Sequence, residues 1–125
     1  MKKSPLNRKS KHRSLRQKLY DKAEKVFHAW IRERDRMKGC ITCGKQVQEA
    51  GHWKHGKLDF SEFNINGQCT ACNRFRSGKL DVYTMRLIQM YGLKKVKEME
   101  RKAEELQHYS IDFLKDIIER YSIYE

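Results

Sequence analysis

The chain has four cysteines, and they fall in two Cys-x-x-Cys pairs: Cys40 and Cys43 in "GCITCG", and Cys69 and Cys72 in "NGQCTACN". Two residues between ligands let a tight knuckle aim both sulfurs at one ion, and four thiolates suit tetrahedral Zn²⁺. In a reducing compartment such pairs point to a metal rather than to disulfides; the alternative is four unligated thiols. The 25 residues between the pairs exceed the ribbon spacing of about 15 to 20, so an insert sits between the knuckles. That insert carries His52, in "AGHW", nine residues after Cys43. A lone histidine is more often structural than catalytic, but its ordinary pKa of about 6.5 lets it move a proton near neutral pH.

The elements that must position these groups follow from patterning. From about Ser14 the sequence turns helical, with Ser14 and Gln17 spaced as a capping box and Leu19, Ala23, Val26, Phe27, Trp30 and Ile31 recurring at three and four. One long helix is expected over about 19–38, ended by Gly39. Residues 40–78 are sparse in apolar residues, so something other than hydrophobic burial must fix them. Short strand-like pieces around Gly51 and Gly56 suit a hairpin, and "TACNRFRSGK" suits a short helix carrying Cys72 and Asn73. A hairpin and a helix braced by zinc make a ββα finger. Over 79–125, Leu80, Tyr83, Leu87, Ile88 and Tyr91 predict a helix stopped at Gly92. Leu93, Val96, Met99, Ala103 and Leu106 predict another, and Ser110 caps a last one with Ile111, Leu114, Ile117, Ile118 and Tyr121. The expected fold class is α+β and mostly helical, with the zinc-braced finger inserted between a long N-terminal helix and C-terminal helices.

Charge narrows the partners. Among 125 residues, 28 are Lys or Arg and 16 are Asp or Glu, a formal +12, which favours a polyanion such as nucleic acid. Eight of the basic residues, and no acidic one, lie in residues 1–18. This segment reads as a basic flexible arm lying along phosphates or as a solvated terminus; residues 19–125 read as a single domain. No apolar run approaches the roughly 18 residues needed to span a bilayer, and the basic start lacks an apolar segment behind it. A membrane role is not expected, and the protein should stay in the cytosol.

The order Cys-x-x-Cys, Gly-His, an Asn five residues before the second Cys-x-x-Cys and an Asn directly after it resembles the zinc-braced HNH, or His-Me finger, nucleases. The match is closer still with the NinG family, also called Rap, of lambdoid phage recombination proteins. "IRERDR", "CITCG", "AGHW", "FNINGQCTACN", "SGKLDVY" and "LIQMYG" carry it over about residues 19–100. The resemblance implies a phage- or prophage-encoded protein of the bacterial host cytoplasm, cutting branched recombination intermediates such as Holliday junctions and D-loops, in company with other recombination proteins.

Phosphodiester hydrolysis needs a base, a cation to stabilise the developing charge and a rigid frame. His52 is the candidate base. The HNH pattern implies that Asn64 fixes the imidazole or braces its loop, and that Asn73 offers its amide oxygen to a catalytic Mg²⁺, with Mn²⁺ as a substitute. Zn²⁺ is then structural. Many HNH nucleases carry an Asp, Glu or His metal ligand directly before the base, where this chain has Gly51. Glu62 is the first choice to replace it, with His55, Asp59 and Glu49 as alternatives. Arg34, Arg36, Trp53, Lys54, Lys57, Arg74, Arg76 and Lys79 are candidates for contact with DNA. Trp53 either stacks on an unpaired base at a branch point or packs against the scaffold, and the charges of "IRERDRMK" make either a phosphate-facing edge or a solvated face. Symmetric cutting of a four-way junction needs two active sites, which makes a homodimer the expectation. The competing function is a non-catalytic zinc-finger protein that binds nucleic acid. A thiol redox role is disfavoured because neither pair lies in a βαβ context.

Overall fold

A computed structural model describes residues 13–122. Most of the basic arm, residues 1–12, lies outside the described residues. The first helix, α1, spans Leu15–Asp35, so its opening turn takes up the end of the segment read as an arm. Its start is the capping box: Ser14 Oγ accepts from the Gln17 backbone N–H at 3.2 Å, and Gln17 Oε1 accepts from the Ser14 N–H at 3.1 Å. Ala23, Val26, Phe27 and Ile31 are its buried stripe.

Strands β1 (Glu49–His52) and β2 (Ile65–Gln68) form one antiparallel hairpin in which Ala50 faces Gly67 and His52 faces Ile65. The expected helix after the second knuckle is a five-residue π-helical turn, Ala71–Phe75, followed by a 3₁₀ turn at Ser77–Lys79. Three helices then follow as patterned: α2 (Leu80–Tyr91), α3 (Leu93–Ala103) and α4 (Ile111–Tyr121). Ser110 caps α4 by accepting from the Phe113 N–H at 3.1 Å. Leu106 falls beyond α3 and is 94% exposed, so the third stripe is one turn shorter than its periodicity suggested.

Two cores hold these elements. In one, α1 and α4 close over Ala50, Phe60 and Ile65; in the other, Trp53 packs with Tyr83, Leu87, Val96 and Met99 of α2 and α3. The cysteine-rich segment therefore does contribute hydrophobic anchors, contrary to its sparse apolar content, because a few large side chains reach into neighbouring cores. Phe60 alone meets the rings of Tyr20, Phe27, Tyr109 and Phe113.

The end of α1 is riveted to β2 by a buried ion pair. Asp35 accepts from Arg34 Nε and from one terminal guanidinium nitrogen, each at 2.8 Å, and from the Gly67 backbone N–H at 2.8 Å. Arg34 also donates to the carbonyls of Glu62 and Ile65 and to Asn66 Oδ1. Arg34 is thus an internal brace rather than part of a phosphate-facing edge. Removing one partner of such a pair strands the other charge, so Asp35→Ala is expected to lower stability by about 3 to 5 kcal/mol. Urea denaturation checks this, and an unchanged midpoint would refute it. Burial opposes ionisation of Asp35, but these donors win and hold its carboxyl below the usual range. Its contribution is present above about pH 4 and is lost as pH falls through the lowered value.

Candidate functional site

The four cysteine Sγ atoms lie within 4.8 Å of one another, and Cys43 and Cys69 approach to 3.5 Å. A tetrahedron with Zn–S bonds of about 2.3 Å has edges of about 3.8 Å, a spacing these thiols can adopt. Each knuckle is built by the backbone. Gly44, at φ 80°, turns the chain so that its N–H reaches the Cys40 carbonyl at 2.8 Å, and the Cys40 N–H reaches the Lys45 carbonyl at 2.7 Å. In the second, the Cys72 N–H points at Cys69 Sγ at 3.4 Å. Burial works against ionising Cys40, yet the Thr42 hydroxyl and the N–H groups of Cys69, Thr42 and Cys43 outweigh it and bring the thiol down to about 6. The cluster has the donor set and the spacing to hold zinc.

His52 ends β1. Side chains alternate along a strand, so His52 shares the face of Ala50, toward α1, while Gly51 turns to the other. The backbone beside His52 is pinned on both sides: Tyr83 donates to the Gly51 carbonyl at 2.8 Å, and Trp53 Nε1 donates to Thr84 Oγ1 at 2.9 Å. Trp53 is buried, 4% exposed, so it packs on the scaffold and is not free to stack on a base. Fully buried Asn64 ties the loop that follows. Its Oδ1 accepts from the Lys54 N–H at 2.8 Å, and its Nδ2 donates to the carbonyls of Lys54, Lys57 and Leu58 at 3.1 to 3.2 Å.

Half-buried, the His52 ring stands 5.2 Å from that of His28 and 5.3 Å from that of His55. Burial first, then His55, lowers its pKa against the pull of Asp59. Burial, His52 and Arg32 push His28 down to about 4. Glu24, one helical turn before His28, completes a group whose ligand atoms all lie within 4.8 Å of one another. Neither Glu24 nor His28 was among the residues singled out from sequence, although a carboxylate and a histidine four apart on one helix face were a readable signal.

Asn73 sits on the π-helical turn and donates to Glu49 Oε1 at 2.7 Å; Arg74 Nε and Thr70 Oγ1 also bind Glu49. The Asn73 Oδ1 instead faces Gly51. A polar groove along the open edge of β1 joins His28, Arg32, Glu49, Asn73 and Arg74. Glu62 is elsewhere, accepting from the Tyr121 hydroxyl at 2.6 Å. Among the described residues it joins neither of the two converging groups of His, Cys, Asp and Glu.

Gly51 has a steric reason for its identity. A Cβ there would lie 1.8 Å from Gln68 Oε1 and 3.0 Å from Asn73 Oδ1. Gln68 is fully buried, with its amide nitrogen held by Thr42 Oγ1 and the Gly78 carbonyl. A carboxylate at position 51 would require the Gln68 amide to move.

The remaining candidate cations differ in availability. Arg36, Arg74 and Arg76 are exposed, Arg36 at 3.4 Å from Glu33 and Arg74 at 2.8 Å from Glu49. Lys54 lies over the Trp53 ring and 3.7 Å from Glu100; Lys57 and Lys79 are partly exposed.

A family model described as "NinG: Bacteriophage Lambda NinG protein" matches residues 2–124. The proteins named "Protein ninG" of Salmonella phage P22, Escherichia phage lambda and Escherichia phage 933W are each 40% identical to the chain over 85 residues. The aligned stretch covers 62% of this chain and 42% of each relative, less than half their length. No solved structure matches. No helix among the described residues is long and apolar enough to cross a membrane. With nearly the whole chain matched from the basic arm through α4, and both cysteine knuckles and His52 inside the matched span, this chain belongs to the NinG family.

Proposed function

We propose that the protein is a metal-dependent endonuclease acting on branched DNA such as four-way junctions and D-loops, and that it serves phage recombination. The observation that carries this reading is the position of His52: half-buried at the end of β1, with its ring 5.2 Å from that of His28, which lines a groove flanked by Arg32 and Arg74. In an HNH-like ββα finger this histidine activates the attacking water. Asn64 keeps the loop behind it from moving. Exposed Arg74 and Arg76 hold phosphates, and shape rather than base edges guides recognition. A divalent cation such as Mg²⁺ supplies charge stabilisation at the phosphate, and Asn73 is one candidate donor to it. A homodimer with two such sites suits a symmetric substrate.

Incubation of the purified protein with a synthetic four-way junction and with matched linear duplex, with and without Mg²⁺, tests the reading. Metal-dependent cutting of the junction in preference to the duplex is expected. Junction binding without cutting would favour the non-catalytic zinc-finger reading instead.

A further inference from the structure

Three side chains from two elements converge beside the groove with no bond to each other. Glu24 and His28 lie four apart on α1, hence on one face, and the packing of α1 on β1 brings His52 to them. No hydrogen bond joins these three side chains among the described residues. Among the described residues, His28 Nε2 is buried and has no hydrogen-bond partner. A buried polar atom left unpaired costs about 1 to 3 kcal/mol, and unpaired groups in native proteins commonly mark a site for a ligand or ion. Burial first, then Asp59 and Asp21, raise the Glu24 carboxyl, while Arg32 and His55 are the positive or titratable groups facing the two imidazoles.

We infer that Glu24, His28 and His52 form a second metal site, distinct from the four-cysteine cluster and selective for a divalent first-row transition ion such as Mn²⁺, Co²⁺ or Zn²⁺. Two imidazoles and one carboxylate are a donor set suited to such ions, and they leave coordination positions open. Ligands about 2.1 Å from an ion stand about 3.4 Å apart in a tetrahedral arrangement. The present spread of up to 4.8 Å closes by side-chain rotation of Glu24 and the two rings. His28 itself lines the groove together with Arg32, Asn73 and Arg74, the side from which a phosphate oxygen would approach the ion. This assignment rests on the proposed nuclease reading but gives His52 the role of a ligand in place of the base, and it puts the cation on the α1 side of β1, away from Glu62.

The test is Co²⁺ binding to the full chain whose cysteine cluster is already loaded with zinc, followed by absorption spectroscopy and metal analysis. Wild type should take up one further Co²⁺ without a thiolate charge-transfer band, because no sulfur is involved. Glu24→Gln, nearly isosteric, and His28→Gln should each weaken that uptake at least tenfold, an order set by the effect of losing even outer-shell partners, while keeping the zinc and the far-ultraviolet circular dichroism of wild type. Failure of wild type to bind the second ion, or equal affinity in both variants, overturns the site. If the site binds Co²⁺ as described yet the loaded protein leaves junctions uncut, the metal assignment stands and the nuclease reading falls.

Discussion

His52→Ala should cleave a four-way junction about 10² to 10⁴-fold more slowly than wild type, the range that a positioned acid–base group contributes. Zinc content, fold and junction affinity should change little. His52 is half-buried at the end of a strand whose neighbours do the anchoring: the Gly51 carbonyl on Tyr83 and the Trp53 ring on Thr84. Removing the imidazole leaves those anchors in place. Single-turnover rates with enzyme in excess isolate the chemical step from product release. A variant that cuts at the wild-type rate would remove His52 from the reaction altogether. The role of His52 is separated by its companion on α1. If His52 is a free base, Glu24→Gln should cut normally; if His52 is a ligand, Glu24→Gln should also be slow and should recover as the metal concentration rises.

The second large effect is expected from Cys69→Ser. Structural zinc in small fingers is worth an apparent 10 to 16 kcal/mol of folding free energy, comparable to the whole stability of a domain. Loss of one thiolate should abolish stoichiometric zinc and open residues 40–72. The helices should partly survive, because α1 and α4 also pack directly through Phe27, Leu114, Ile117 and Tyr121, although Ala50, Phe60 and Ile65 of the opened segment would be lost from that core. Hydrogen exchange provides the measurement: protection should vanish in β1 and β2 while persisting in α1 and α4. Retained zinc with unchanged strand protection would show that the cluster is not a structural metal site. Cleavage should fall with the strands, since His52 is placed by them.

Much of the scaffold was legible in the sequence because its signals are local. Ser14 with Gln17, Gly92 and Ser110 mark helix ends through caps made within four residues, and the stripes of α1, α2 and α4 follow the helical period. The cysteine pairs were equally legible, since each knuckle is closed by its own backbone. What escaped depends on contacts between distant segments. Nothing near Trp53 says that Thr84 will take its indole N–H, and nothing near Arg34 says that three backbone or side-chain acceptors from residues 62–66 will surround it. Glu24 and His28 were overlooked for the same reason, as part of a helix read only for its apolar stripe. Glu62 looked suitable by proximity to Asn64 along the chain, but the bend at residues 61–64 sends its carboxylate to Tyr121 on α4.

The amide of Gln68 lying across Gly51 makes positions 51 and 68 a coupled pair under mutation. Any side chain at 51 collides with Gln68 Oε1 first, so an acid at this position is closed to a single substitution. It opens only after Gln68 has been shortened, a change that would by itself break the bonds to Thr42 and Gly78. The intermediate in either order is the less stable protein. A mutational library that varies position 51 alone is therefore expected to favour glycine, and recovery of acidic variants should come with changes at position 68.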